Sequence, residues 1–268
     1  MSENPLQQAV ARARENNERV DQARSLVGPL GLEHIRYTET RTVALDSTRL
    51  VANGLVAAGA EGPESRVFSA LAQQVLQKMR ENGFRSVAVV APTAGTGCSL
   101  IAANLSIALA KDPNQTVVAV DLDVQEPTFA RLFGADVRRG LVDHLVDGTP
   151  IPNVLFHPGA VKRLVVLPNR ARQVNAQEVY GSWAMTQLLG ELRDRYDARL
   201  SVFDVPPLLD SGYGLALLQR IDCALLVVRQ GFVTRDEIDE TKRLLAGVPM
   251  IGVVLNDVEV LQRASARR

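Results

Sequence analysis

Short apolar runs alternate with helical segments through most of the chain after residue 60. Near-continuous apolar runs are typical of buried parallel strands, and they lie at residues 87–91, 116–120, 164–167, 200–203, 223–228 and 251–255. Helical spacing of apolar residues occurs at residues 64–82, 99–111, 129–132, 140–145, 180–196 and 235–245. These repeated strand–helix units predict an α/β fold, a doubly wound and mainly parallel sheet with helices on both faces.

The first 60 residues follow a different pattern, so we place the domain at residues 61–260, between an N-terminal part at 1–60 and a tail at 261–268. Residues 5–27 are rich in charge and predict a solvated helix with Pro5 in its first turn. Residues 33–45 alternate roughly, as an edge strand or an extended arm does. This part is either a mobile tail or a docking arm for a partner or another subunit.

Composition narrows the class of protein. The chain has 268 residues, 46% of them hydrophobic, and zero formal net charge, so nothing indicates a nucleic-acid partner. The two cysteines, Cys98 and Cys223, form no disulfide framework and indicate a reducing compartment. The sequence contains neither a long apolar run that would span a membrane nor an N-terminal signal peptide. We therefore expect a cytoplasmic protein.

A turn of small residues at 92–97 links the first apolar strand to a helix that begins near Ser99. Such a strand, glycine-rich turn and helix N-terminus together hold an anion through backbone N–H groups. The P-loop pattern has a glycine five positions before its Gly-Lys-Ser/Thr end. Here Pro92 takes that first glycine position and the end is Gly97-Cys98-Ser99. The loop keeps its later glycines and its hydroxyl but lacks the lysine.

Three aspartates follow strands of the predicted sheet. Asp121 and Asp123 come after the second strand, and Asp204 follows the strand at 200–203. Any one of them alone is equally well explained as a helix N-cap. Because ligands bind at the carboxyl ends of parallel strands, the three together fit a magnesium site better. Ser99 and Asp204 would hold the metal, and Asp121 or Asp123 would orient or deprotonate the attacking group.

Five segments occur in a characteristic order: AGTGCS at 94–99, VAVDLDVQEP at 118–127, VFDVPPLLDS at 202–211, ALLVVRQG at 224–231 and GVVLND at 252–257. With these segments the chain from residue 64 to 256 resembles the cytoplasmic tyrosine autokinases of bacterial capsule and exopolysaccharide synthesis. Its sequence most resembles the branch of the family that is associated with exosortase-type polysaccharide loci. That family shares its fold with the MinD/ParA-type deviant P-loop ATPases.

The resemblance implies a site and a partner. It implies ATP or ADP on the loop, Mg²⁺ on Ser99 and Asp204, and a reaction centre lined by Asp121 and Asp123. The residues it assigns to the nucleotide are Gly95, Thr96, Gly97, Cys98, Ser99 and, near the adenine, Asn256. It also implies a membrane polysaccharide co-polymerase as partner, and through it a position at the inner membrane.

The loop departs from the family at its two lysine positions. Cys98 stands where the P-loop lysine is expected, and Thr93 where MinD/ParA proteins carry an additional lysine. A charge-assisted hydrogen bond to phosphate, worth about 1.5–3 kcal/mol, is therefore missing. A cysteine at a helix N-terminus can also have a lowered pKa and react as a redox group. A small neutral filler is the simpler interpretation.

Three further departures lie outside the loop. Gln125 replaces an arginine that is usual in the family, and the last tyrosine is Tyr213, so a C-terminal tyrosine cluster is absent. The family also has a ring-assembly motif, Glu-x-x-Arg-x-x-Arg. Its three defined positions align with Arg66, Ser69 and Ala72, so the motif is lost here. Self-association remains possible without it.

Together the departures favour a degenerate member of the family, a regulator or adaptor that binds nucleotide and Mg²⁺ weakly. The alternative is an active ATPase or protein-tyrosine kinase of the same pathway, in which an arginine supplied in trans replaces the lysine. A MinD/ParA-type positioning ATPase is disfavoured, because the loop lysines are missing and the tail has no amphipathic membrane helix.

The polar N-terminal helix has little apolar surface to bury. Deleting residues 1–27 should therefore leave the melting temperature of the protein nearly unchanged. Thermal denaturation of the full and shortened chains checks this expectation. A drop of many degrees would show that the segment belongs to the core.

Overall fold

The computed structural model describes residues 40–170, 174–194 and 199–258. The helix predicted at 5–27, most of the arm predicted at 33–45 and the tail at 261–268 lie outside these described residues. No helix in the described ranges is both long enough and apolar enough to cross a membrane.

Eight strands and eleven α-helices make up the described part of the chain. The strands are β1 (Arg41–Val43), β2 (Ser86–Val90), β3 (Thr116–Asp121), β4 (Phe156–Pro158), β5 (Leu164–Leu167), β6 (Arg199–Asp204), β7 (Cys223–Arg229) and β8 (Met250–Asn256). The helices are α1 (Ser47–Ala52), α2 (Pro63–Asn82), α3 (Cys98–Leu109), α4 (Phe129–Phe133), α5 (Leu141–Asp147), α6 (Ile151–Val154), α7 (Ala176–Gly181), α8 (Trp183–Asp194), α9 (Leu208–Ser211), α10 (Gly214–Leu218) and α11 (Arg235–Leu244), with a 3₁₀ turn at Val56–Ala58.

The strands form one sheet in the order β1-β4-β5-β3-β6-β2-β7-β8. All neighbouring strands are parallel except β4 and β5, which are antiparallel. β2 lies inside the sheet between β6 and β7, and all five of its residues are buried. Parallel strands covered on both faces need continuous apolar sequence, and this requirement explains the uninterrupted runs. The predicted α/β fold with a mainly parallel sheet is confirmed.

Two hydrophobic cores lie on opposite faces of the sheet. Val87 and Val89 of β2 point into the core that contains α3, whereas Ala88 and Val90 point into the core that contains α8. This division follows from strand geometry, because successive side chains alternate between the two faces. The loops that leave the carboxyl ends of the strands are thereby fixed from both sides.

Residues 41–58 belong to the domain rather than to an arm outside it. β1 is an edge strand, as the alternating pattern allowed, and it pairs in parallel with β4. Leu50 and Leu55 are completely buried in the core next to α3. The buried Asn104 of α3 joins this segment to the core, because its side chain accepts from the Ala57 N–H at 2.9 Å and donates to the Gly54 carbonyl at 3.0 Å. The boundary expected at residue 60 therefore falls too late in the chain.

The helix predicted at 180–196 is interrupted. Ser182 has an extended conformation between α7 and α8, with ψ of 150°, and its hydroxyl accepts from the Met185 N–H at 3.1 Å. A serine hydroxyl in this position caps a new helix. The interruption therefore starts α8 as a separate helix, which a continuous apolar period does not reveal.

Truncating Leu50 tests whether the segment before residue 60 is part of the core. Leu50→Ala should lower the free energy of unfolding by about 2–5 kcal/mol, because it leaves a cavity in a packed core. Val51, which is 38% exposed on the same helix, is the matched control. Urea denaturation of both variants gives the comparison. Equal costs for Leu50→Ala and Val51→Ala would contradict the assignment.

Candidate functional site

A cavity of about 540 Å³ opens at the carboxyl ends of β2, β3 and β6. The loop between β2 and α3 forms one wall, and the loops that follow β3 and β6 form the others. The lining includes residues 93–99, Asp123, Gln125, Glu126, Thr128, Arg131, residues 205–207 and Asp210. The cavity thus lies where parallel α/β sheets bind their ligands.

The loop makes its turn with glycines in the left-handed region. Gly95 has φ of 78° and Gly97 has φ of 85°, conformations that other residues rarely adopt. A Cβ atom at Gly97 would also collide with the side-chain amide of Asn256. Both the backbone conformation and the close approach therefore require glycine at position 97.

Three side chains outside the loop hold it in place. The amide of Asn256 donates to the Thr96 carbonyl at 2.9 Å, and the guanidinium of Arg229 donates to the Gly95 carbonyl at 3.2 Å. On the other side, the Asp210 carboxylate accepts from the Ala94 N–H at 3.0 Å. The sequence analysis predicted Asn256 at this site but missed the other two. Arg229 and Asp210 lie within segments that were quoted for the family, yet nothing in their spacing indicated contact with the loop.

Backbone donors of the loop remain available to a ligand. Among the described residues, the N–H groups of Gly95, Thr96 and Gly97 donate to no protein acceptor. The N-terminus of α3, a helix of 12 residues, begins directly after them at Cys98. Free N–H groups next to a helix N-terminus fit a phosphate group. The predicted nucleotide residues 95–99 are therefore together on one wall of the cavity.

Asp121 is completely buried, and backbone donors hold its carboxylate. It accepts from Thr128 N–H at 2.8 Å, Phe129 N–H at 2.9 Å and Asp123 N–H at 3.2 Å. Burial raises its pKa from 3.8 to about 7, although these hydrogen bonds oppose the shift. Asp121 thus fixes the start of α4, much as the helix-cap explanation proposed.

Asp204 lies opposite Asp121 in the register of β3 and β6 and is also buried. Burial and the charge of Asp121 raise the pKa of Asp204 well above its ordinary value, whereas hydrogen bonds from Ser99 and Cys98 lower it. Its Oδ2 atom has no hydrogen-bond partner in the described part of the protein. Mg²⁺ prefers oxygen ligands and uses few protein groups beside phosphates. Ser99 and Asp204 therefore fit the metal.

Asp123, unlike Asp121, lines the cavity itself. Its Oδ1 accepts from the N–H groups of Gln125 at 3.0 Å and Glu126 at 2.9 Å, which sets the turn after β3. Of the two predicted catalytic carboxylates, Asp123 therefore lines the cavity and Asp121 is buried. Their assignment to catalysis stays a prediction.

Cys98 is the first residue of α3, yet its thiol is not activated. Burial and the nearby charge of Asp204 raise the pKa of Cys98 well above its ordinary value. These effects outweigh the favourable field of the helix N-terminus, which alone would lower the pKa. The thiol is therefore neutral, which argues against the redox interpretation and for a neutral filler.

Tyr180 supports the turn after β3 from the far side of the site. Its hydroxyl donates to the Leu122 carbonyl at 2.9 Å and accepts from the Val124 N–H at 3.2 Å. Burial raises the pKa of Tyr180, so the group stays protonated and can donate. The sequence analysis did not single out this tyrosine, because the contact joins residues far apart in the chain.

The parallel sheet, the glycine loop that opens a helix and the acidic strand ends define a P-loop nucleotide-binding domain. A family model confirms this class. Residues 87–266 match the CobQ/CobB/MinD/ParA nucleotide binding domain, and the chain belongs to this family.

Individual relatives narrow the comparison. The chain is 28% identical over 240 residues to the putative tyrosine-protein kinase EpsB of Ralstonia solanacearum, with 85% of the chain and 32% of EpsB covered. It thus spans about a third of the length of that relative. The resemblance stated from the motifs is confirmed.

Solved structures agree with the assignment. The kinase domain of the Escherichia coli tyrosine kinase ETK matches with a TM-score of 0.68 and 25% identity, covering 80% of this chain and 83% of that chain. MinD of Pyrococcus horikoshii, complexed with Mg-ADP, shares the fold with a TM-score of 0.54 and 21% identity, covering 64% of this chain and 69% of that chain.

The two buried carboxylates generate a pH-dependent prediction. A carboxyl with a raised pKa in the folded state binds more protons there than in the unfolded chain, so stability falls as pH rises from about 4 toward about 7. Asp204→Asn removes one of the two charges. In buffer without divalent cations it should raise the melting temperature at about pH 8 more than at about pH 5.

Asp136→Asn, at an exposed position, serves as the control in the same pH series. Differential scanning fluorimetry gives the melting temperatures. A change that is equal at both pH values would show that the carboxylates of Asp121 and Asp204 do not repel one another in the folded protein.

Proposed function

We propose that this chain is a degenerate tyrosine-autokinase-like P-loop protein that binds nucleotide and regulates exopolysaccharide or capsule synthesis and export as an adaptor. It takes ATP or ADP together with Mg²⁺, on the loop at 95–99 and on Ser99 and Asp204. The free backbone N–H groups and the unpartnered Oδ2 of Asp204 support this assignment. Asn256 secures the loop from β8, and the family resemblance assigns it to the adenine end of the nucleotide.

The observation that carries the proposal is the state of Cys98. It occupies the lysine position of the loop, and its thiol is neutral beside Asp204. Positive charge at this point stabilises the phosphates most when negative charge shifts during transfer. Without it, binding through backbone donors survives while turnover suffers, which is the behaviour of a nucleotide sensor rather than of an efficient kinase.

The pathway is inferred from the relatives. EpsB and ETK are described as tyrosine kinases, and the motif resemblance points to capsule and exopolysaccharide loci. We propose a membrane polysaccharide co-polymerase as the partner, so that the protein acts in the cytoplasm at the inner membrane. Such a partner would contact this chain directly, and the segment before residue 40 is a candidate for that contact.

An active ATPase or protein-tyrosine kinase is the second candidate. It is favoured by the presence of Ser99, Asp204 and a cavity-lining Asp123, which together supply the metal side of a phosphoryl-transfer site. Against it stand Cys98 at the lysine position of the loop and Gln125 where the family usually has an arginine. Tyr213, the last tyrosine of the chain, is partly buried and packs 6.1 Å from the Tyr180 ring, so it is not an exposed acceptor.

Replacing Cys98 by lysine separates the two candidates. In a degenerate member, Cys98→Lys should tighten binding of a fluorescent ATP analogue by about tenfold or more, since a charge-assisted hydrogen bond is worth about 1.5–3 kcal/mol. Hydrolysis should rise from near background in the wild type. Fluorescence titration and phosphate release on both proteins measure the two effects.

Cys98→Ser is the matched control, because it keeps the small neutral side chain. It should behave as the wild type in both assays. Phosphotyrosine detection on the purified protein and on the cytoplasmic segment of a co-polymerase completes the test. Hydrolysis by the wild type as fast as by Cys98→Lys would favour the enzyme, and a wild type that binds no nucleotide would overturn the proposed function.

A further inference from the structure

The cavity carries an excess of negative charge over positive charge. Three carboxylates line it, those of Asp123, Glu126 and Asp210, and the buried pair Asp121 and Asp204 lies beneath. A nucleoside triphosphate brings several more negative charges, of which one metal ion compensates only part. The site therefore needs a cation from the protein, and its loop supplies none.

Arg131 is the one arginine or lysine among the described residues that line this cavity. It lies on α4, one helical turn after the cap residue Thr128, and lines the same cavity as the loop residues Cys98 and Ser99. Its side chain is exposed and forms no hydrogen bond or ion pair with any described residue. The guanidinium of Arg131 is thus free to contact a ligand.

The backbone around Arg131 is fixed although its side chain is free. Asp121 accepts from the N–H groups at the start of α4, at 2.8 and 2.9 Å, and Asn53 donates to the carbonyl of Leu132 at 3.0 Å. Phe129 and Phe133 anchor the helix in the core. Because the short helix is held at both ends, the Cα atom from which the Arg131 side chain extends has a fixed position.

We propose that Arg131 binds the β- and γ-phosphates of the nucleotide and takes over, within the same chain, the charge of the missing P-loop lysine. The inference rests on the proposed function. A guanidinium suits this task because its planar fork makes paired hydrogen bonds to phosphate oxygens and keeps its charge at every physiological pH. With Arg131 in this role, the site needs no arginine supplied by another molecule.

The test compares ligands that differ only in phosphate number. The 2′(3′)-N-methylanthraniloyl derivatives of ATP and AMP are titrated, with Mg²⁺, against the wild type, Arg131→Ala and Arg131→Lys. Arg131→Ala should weaken binding of the ATP derivative by about tenfold or more and leave the AMP derivative nearly unaffected. Arg131→Lys should retain part of the affinity for ATP.

Arg220→Ala is the matched control, since Arg220 is an exposed arginine in the turn after α10, where its side chain donates to the Ala216 carbonyl at 2.9 Å. Melting temperatures are measured for every variant and should not change. If Arg131→Ala binds the ATP derivative as the wild type does, or loses both derivatives equally, the inference is wrong while the proposed function stands. A wild type that binds neither derivative overturns both.

A double-mutant cycle with Cys98→Lys tests the substitution itself. If lysine at position 98 and Arg131 serve the same phosphates, Arg131→Ala should cost clearly less affinity for ATP in the Cys98→Lys protein than in the wild type. An equal loss in both backgrounds would show that Arg131 contributes independently of the lysine position. That result would overturn the claim that it replaces the lysine.

Discussion

The pairing of β3 with β6 buries two carboxylates side by side, and the rest of the site depends on this arrangement. Asp121 and Asp204 are register partners at the carboxyl ends of adjacent strands. Burial raises the pKa of both, and the charge of Asp121 adds to the rise at Asp204. Three backbone N–H groups donate to the Asp121 carboxylate and offset the cost of its burial. Among the described residues, Oδ2 of Asp204 has no hydrogen-bond partner. Two buried carboxylates destabilise the folded state unless a cation neutralises them. A cation bound at this point would therefore stabilise the fold.

The shape of the loop does not depend on the residue at position 98. Asn256 of β8 and Arg229 of β7 donate to its carbonyl groups, and Asp210 accepts from the Ala94 N–H. Left-handed Gly95 and Gly97 make the turn itself. Loss of the lysine therefore removes a charge but leaves the geometry of the anion cradle unchanged. The proposed separation of binding from catalysis has this physical basis, because backbone donors act on the ground state whereas the transferred charge needs more.

Much of the fold follows from apolar periodicity, and the limits of that approach are equally physical. The six longer strands were predicted because parallel strands buried on both faces need continuous apolar sequence. The segment with Leu50 and Leu55 was missed, because short elements joined by single core residues have no period. Within the site, the loop and the aspartates were found from local spacing. Arg229, Asp210 and Tyr180 were not, since they reach the site through contacts between distant parts of the chain.

The position of a cation in the site decides how strongly it acts. A P-loop lysine is held by the loop that binds the phosphate, so little freedom is lost when the ligand arrives. Arg131 projects from α4 into solvent without a partner, and it must lose side-chain entropy of up to about 2 kcal/mol to bind. An arginine in this position therefore gives weaker binding and less stabilisation of transferred charge than the lysine would. Under the proposed function, such a site would serve a regulator that responds to the concentration of its nucleotide better than it would serve a catalyst.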